Sequence, residues 1–199
     1  MEDSKSCKLL AKAASELEDL RCVPKNEGVS FPPHCLKIVR SLPGNHCCVD
    51  CGKANPEWAS VTYGTLICMQ CSGKHRSYGV QISFVRSINM DSWNYSQVLG
   101  MLEGGNDQLR TFFDRHKMGD RSSLSVRNRR YLTKASAFYR THLAAHCAKI
   151  EVSGTSYQGR DASRARRKQS KPVRSASYEE GQRPCAKQHV SVARRTSKQ

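Results

Sequence analysis

The sequence is short of acid. Against 33 Lys and Arg it carries 17 Asp and Glu, giving a formal net charge of +16 and a pI near 9.7. It also lacks a long apolar run, and its uncharged hydrophobic stretches fall far short of the ~20 residues that cross a bilayer. The opening MEDSKSCKLLAKAASELEDLR scatters acids and bases among its apolar positions, so it has no clean apolar centre of a secretory signal. No Walker A loop, HExxH helix, carboxylate pair or Ser-His-Asp set is visible, which argues against a self-sufficient hydrolase. Hydrophobic residues make up 38% of 199, enough for one modest core and not for two.

The last 48 residues, from Val152 onward, contain no Leu, Ile, Phe, Met or Trp and hold 12 Lys and Arg against 3 Asp and Glu. Such a stretch cannot bury enough apolar surface to offset its conformational entropy, so residues 151–199 are expected to form a disordered basic tail. At the other end, Leu9, Leu10, Ala13, Leu17 and Leu20 give an amphipathic helix. Together with the linker Asn26-Glu27-Gly28 it forms an N-terminal extension over residues 1–30. The folded domain is expected over residues 31–150, beginning near Phe31.

Within it, Pro32-Pro33 opens a helix that runs to Arg40 and stops before Pro43-Gly44. Trp58–Thr62 and Thr65–Ile67 read as strands joined at Tyr63-Gly64, and Ile82 and Phe84 alternate with Ser83 in a third. Helices follow over Cys71–Tyr78, after an Asp91 N-cap (Tyr95, Val98, Leu99, Leu102), and after an Asn106 N-cap (Leu109, Phe112, Phe113, His116). A last helix spans about Arg130–Ile150, with a stripe of Leu132, Ala135, Tyr139 and Leu143. The expected fold class is α+β: a small four-cysteine zinc finger with a short three-stranded sheet surrounded by helices, plus the tail.

The cysteines carry the strongest local signal. The chain has ten and no export signal, so a reducing compartment is expected, where Cys-x2-Cys pairs read as metal ligands rather than disulfides. Cys48-x2-Cys51, sixteen residues, then Cys68-x2-Cys71 place two knuckles at the ends of a hairpin. Four thiolates complete a tetrahedral zinc shell with no open position, so one structural zinc per chain is expected, folding the hairpin and activating no water. Cys47 would break the tight knuckle and is read as a small buried hydrophobe, while Cys7, Cys22, Cys35, Cys147 and Cys185 read as free thiols. With the metal closed, chemistry must come from elsewhere. Arg76 lies five residues after Cys71, close enough to the metal to be held rigidly. On position alone it is an ordinary surface arginine.

The segment GNHCCVDCGKANPEWASVTYGTLICMQCSGKHRSYGVQISFVRSINMDSW closely resembles the catalytic zinc-finger domain of Arf GTPase-activating proteins. The resemblance rests on C-x2-C-x16-C-x2-C-x4-R, on Pro56-x-Trp58-Ala59-Ser60, on Cys71-Ser72-Gly73-x-His75-Arg76, and on Val85-Arg86-Ser87 and Asp91-x-Trp93. Gly104-Gly105-Asn106 and Tyr131-x-Thr133-Lys134-Ala135 extend it, so that it covers roughly residues 31–150. It implies stimulation of GTP hydrolysis by a GTP-loaded Arf-family small GTPase, with zinc the only cofactor of this chain. It implies that Arg76 is the arginine finger and that Trp58, Met69, Met90 and Asp91 face the GTPase; for Trp58, a core aromatic covering the zinc site is an equal reading. Met69 and Met90 replace the more usual Ile or Leu, a volume-conserving change. Tyr78 and Gln81 stand where Leu and His are usual, departures that bear on substrate preference. The implied workplace is cytoplasmic, peripheral on Golgi or other trafficking membranes, with the tail meeting an anionic membrane surface. Two alternatives stand beside it: a four-cysteine nucleic-acid-binding finger, disfavoured because over half of the excess charge sits in the tail, and an inactive adaptor on the same fold.

Overall fold

The computed structural model describes residues 2–24, 27, 29–119 and 129–162. Along the chain run α1 (Glu2–Cys22), α2 (Pro33–Ser41), β1 (Trp58–Ser60), a 3-10 turn (Val61–Tyr63), β2 (Thr65–Ile67) and α3 (Met69–Ser77). They are followed by β3 (Val85–Ser87), α4 (Tyr95–Glu103), α5 (Asn106–Arg115), a second 3-10 turn (Arg130–Leu132) and α6 (Lys134–Ser153). The sheet has the order β2-β1-β3 and both pairings are antiparallel, with Ala59 opposite Leu66 on one side and Arg86 on the other. The α+β class expected from sequence is the observed one.

Several boundaries move, each for a local reason. Val61 and Thr62 leave the first strand for a 3-10 turn that ends at Gly64 in the left-handed region, φ +61°. A Cβ at Gly64 would lie 2.4 Å from the Gly100 carbonyl oxygen, and one at Gly104 would lie 2.4 Å from the Gly64 oxygen. Only two glycines let this turn touch the end of α4, and the Gly105 N–H then donates to the Gly64 oxygen at 2.8 Å. The third strand is Val85–Ser87, not Ile82–Phe84, because Ser83 turns inward to a buried hydrogen bond with Ser60. Asp91 does not cap α4; Asn94 does, in a reciprocal box with Gln97. Asn106 is the first residue of α5 rather than its cap, and its side chain is buried elsewhere. In the last helix Ser136, Tyr139, Leu143 and Cys147 face inward, while Leu132 is 58% exposed because the 3-10 turn directs Arg130 and Tyr131 into the core instead.

α4 is buried on nearly every side, which its apolar run Val98–Leu102 permits. It is enclosed by α1, α2, α6 and the first 3-10 turn. The core therefore extends upstream of Phe31: Ala13 and Leu17 are fully buried and Leu20 nearly so. α1 is bound to α2 by chemistry as well as packing. Pro32, the residue before α2, has no side chain able to cap it. The Glu16 carboxylate of α1 does so instead, accepting the N–H groups of His34 at 2.9 Å and Cys35 at 3.1 Å.

Part of the expected tail is also folded. Tyr157 is 4% exposed, and the Arg160 guanidinium donates to Gln108 Oε1 at 2.8 Å. One buried aromatic suffices to anchor a segment otherwise poor in apolar residues. The expectation of disorder for residues 163–199, with Cys185 among them, lies outside the described residues. No helix among the described residues is long and apolar enough to cross a membrane.

Leu17→Ala is expected to lower the unfolding free energy by about 2–5 kcal/mol. Urea melting would measure it, and a loss under about 0.5 kcal/mol, typical of surface sites, would show that α1 lies outside the core.

Candidate metal centre and the arginine beside it

Backbone hydrogen bonds shape the first knuckle. The Cys48 N–H donates to the Lys53 carbonyl at 2.8 Å, the Gly52 N–H to the Cys48 carbonyl at 3.0 Å, and the Val49 N–H to the Leu66 carbonyl at 3.0 Å. The second knuckle is the start of α3. Cys68 is its N-cap residue, and its sulfur accepts the Cys71 N–H at 3.5 Å. The four sulfurs of Cys48, Cys51, Cys68 and Cys71 all lie within 4.8 Å of one another, and those of Cys51 and Cys68 are 3.5 Å apart. A tetrahedral zinc with Zn–S bonds of about 2.3 Å needs sulfurs about 3.8 Å apart, so the donor set fits the ion. Cys47 is buried outside the set, as a small hydrophobe would be. Cys35 and Cys147 are buried thiols whose pKa is pushed up to about 12 by burial and then by neighbouring carboxylates, which leaves them inert.

Two side chains from α5 brace the knuckles. Arg110 donates to the Cys48 carbonyl at 2.8 Å and is paired with Asp107. Asn106, fully buried, accepts the Leu66 N–H at 2.8 Å and donates to the Cys47 carbonyl at 2.7 Å. It thereby ties together the chain segments that lead into both knuckles.

A polar chain then joins the knuckle to α3. Asp50, between Cys48 and Cys51, accepts from His75 Nε2 at 2.9 Å and from the Tyr131 hydroxyl at 2.6 Å, and is ion-paired with Arg130. His75 Nδ1 meets the Ser83 hydroxyl at 2.7 Å, which meets that of Ser60 at 2.7 Å. Burial pushes the Asp50 carboxyl up, but the His75 hydrogen bond and the Arg130 charge more than reverse this and hold it well below the usual carboxylate range. Burial, then the Asp50 charge, holds the Tyr131 phenol well above its ordinary value, so it stays a donor.

The Ser83–His75–Asp50 contacts form the Ser-His-Asp connection that the sequence did not reveal. It is sealed: Ser83 is 1% exposed and His75 fully buried, so no substrate reaches the hydroxyl and the connection is structural. Its signal was present in the sequence. His75 lies four residues after Cys71, on the helix face that already points to the metal.

Arg76, the next residue, points out to solvent. Its guanidinium lies 4.6 Å from the centre of the half-buried Trp58 ring. Trp58 thus stands partly in the domain and partly on the surface, with its exposed part under the arginine. Met69 and Met90 are each 74% exposed. Asp91 is half-buried and its carboxylate accepts the Ser87 N–H at 2.6 Å. Arg86 donates to the Ser92 carbonyl and stacks on Phe84, both contacts within the domain.

A family model described as "Putative GTPase activating protein for Arf" matches residues 33–148. ADP-ribosylation factor GTPase-activating protein 3 of Macaca fascicularis is 46% identical over 106 residues, 53% of this chain and 20% of that protein. ADP-ribosylation factor GTPase-activating protein GCS1 of Saccharomyces cerevisiae is 43% identical over 83 residues, 42% of this chain and 24% of that protein. The match thus spans only about a fifth to a quarter of these relatives' length. The crystal structure titled as a "putative GTPase activating protein for ADP ribosylation factor" from Cryptosporidium parvum superimposes with a TM-score of 0.55 at 32% identity, covering 63% of this chain and 99% of that one.

Asp50→Asn is expected to destabilise the domain by about 3–5 kcal/mol, because it strands the Arg130 charge in the interior. Adding Arg130→Met should recover part of the loss. Equilibrium unfolding of the single and double variants checks this, and full additivity would contradict the pairing. Metal analysis is expected to find one zinc per chain, and removing it with a chelator should abolish the cooperative melt.

Proposed function

The chain belongs to the ArfGap family, whose model matches more than half of its residues, and on that footing we propose that it stimulates GTP hydrolysis by an Arf-family GTPase with Arg76 supplied in trans. The observation that carries the reading is the pairing of an exposed guanidinium with a buried, hydrogen-bonded base. Arg76 is exposed, and among the described residues it has no ion-pair partner. The residue before it is fully buried and hydrogen-bonded to the knuckle. Zinc held by Cys48, Cys51, Cys68 and Cys71 supplies folding alone, since four thiolates leave it no open position.

The chemistry follows from charge. As the γ-phosphoryl group passes from the nucleotide to water, negative charge builds on its oxygens and on the β–γ bridge. The planar fork of Arg76 enters the partner's nucleotide site and compensates that charge. An arginine so placed is worth roughly 10³ to 10⁵ in rate, or about 4–7 kcal/mol. The nucleotide and its magnesium belong to the GTPase. The Trp58 ring, 4.6 Å from the guanidinium, restrains it before the partner arrives, which lowers the entropy lost on docking. We assign Met69, Met90 and Asp91 to the surface that meets the GTPase, with the two exposed methionines giving it apolar area.

The alternatives fare less well. A groove-reading finger would use the exposed side of α3, yet His75 is fully buried and only Lys74 and Arg76 remain there as basic donors. A silent adaptor would have no use for an exposed arginine stacked on an aromatic ring beside a rigid site.

The basic residues from 163 onward attract the chain to an anionic membrane, at about 1 kcal/mol per nearby Lys or Arg. The workplace proposed is the cytoplasmic face of the Golgi or another trafficking membrane.

Arg76→Lys keeps the charge and loses the fork. It is expected to cut single-turnover hydrolysis by a GTP-loaded Arf by about 10³-fold or more, with zinc content and melting unchanged. A Lys variant as fast as wild type would sink the finger. Removing residues 163–199, which keeps the Tyr157 anchor, should abolish co-sedimentation with anionic liposomes, and undiminished binding would contradict the membrane role.

A further inference from the structure

α3 carries a glycine that none of the described residues requires. Gly73 lies mid-helix, and among the described residues a Cβ added there would meet nothing within 4 Å. This contrasts with Gly64 and Gly104, where a Cβ would strike backbone. Its φ lies outside the left-handed region, so an L side chain would fit the conformation too. Glycine is nonetheless among the least favourable residues for a helix interior, and α3 is only nine residues long.

The place of Gly73 on the helix narrows the reason. Met69, Gly73 and Arg76 are spaced at i, i+4 and i+7 and so lie along one side of α3. All three are exposed. Gly73 sits between an uncovered apolar side chain and the exposed arginine. A partner that receives Arg76 and covers Met69 must pass over Gly73.

We propose that Gly73 is a contact point at which the main chain of the bound GTPase crosses α3, closer than any Cβ would allow. This rests on the reading that Arg76 acts on an Arf-family GTPase. A peptide backbone is the occupant because a flat main-chain segment can reach a Cα surface, whereas a protruding side chain would fit a side-chain pocket instead. The glycine is a specificity-determining residue: it sets how near the partner comes, and so how deep the arginine reaches.

The test uses the full chain with Gly73→Ala and Gly73→Ser, which add the same Cβ with an apolar and a polar side chain. Gly73→Ala is expected to raise Tm by about 3 °C, as removal of a helix glycine should. Both variants are expected to lower kcat/KM for hydrolysis by a GTP-loaded Arf at least tenfold. On an Arg76→Ala background, where catalysis is absent, Gly73→Ala should still weaken binding to the GTP-loaded Arf by a similar factor. Such a loss, with a stabilised fold and unchanged zinc content, cannot come from misfolding. Wild-type kcat/KM in Gly73→Ala would overturn the proposal and leave the Arg76 reading intact. A wild-type chain that stimulates no Arf would overturn that reading, and the proposal with it.

Discussion

Four sulfurs drawn within 4.8 Å of one another are the constraint on which the rest depends. The strands between the two knuckles are three residues each, too short to hold a hairpin by their own ladder. What fixes them is closure at the ends. One end of the loop is the first knuckle, gripped by Arg110 and Asn106 from α5. The other is the first turn of α3, with Cys68 as its cap. The cysteine cluster, the sheet and α3 therefore share one rigid frame, and α3 leaves it at a set angle.

The frame is reinforced by a buried charge. Asp50 sits between Cys48 and Cys51 of the clustered set, a buried place that is unfavourable for a carboxylate. It is tolerated because Arg130, Tyr131 and His75 converge on it. This connects residues 80 apart in sequence and ties α3 to the 3-10 turn that precedes α6. The chain from Asp50 through His75 ends one residue before Arg76. On the proposed reading, in which Arg76 enters a partner's site, a stiff base limits the entropy lost on docking.

The fold was largely legible in the sequence where one pattern decided an element. The Cys-x2-Cys pairs located both knuckles, and the stripes Tyr95–Leu102 and Leu109–Phe113 marked α4 and α5. Elements failed where a side chain served two purposes. Asp91 and Asn106 look like caps, but one holds the Ser87 N–H and the other joins the two knuckle segments, a use visible only once distant chain meets. Ser83 breaks an apparent strand because His75 claims its hydroxyl. The place of α1 was hidden for the same reason: Glu16 caps a helix seventeen residues onward, which no local pattern announces. At the site, the four cysteines converge as their spacing implied. The spacing of Arg76 from Cys71 already implied a rigidly held surface arginine, but only the family resemblance gave it a role, because nothing in one chain's spacing shows what an exposed side chain meets.

The most direct test of the account is complex formation with a GDP-loaded Arf in the presence of aluminium fluoride, which mimics the phosphoryl group in transfer. The account predicts a stable complex that fails to form with Arg76→Ala, because the guanidinium recognises charge that develops only in the transition state. A complex equally tight without fluoride, or indifferent to Arg76, would contradict it.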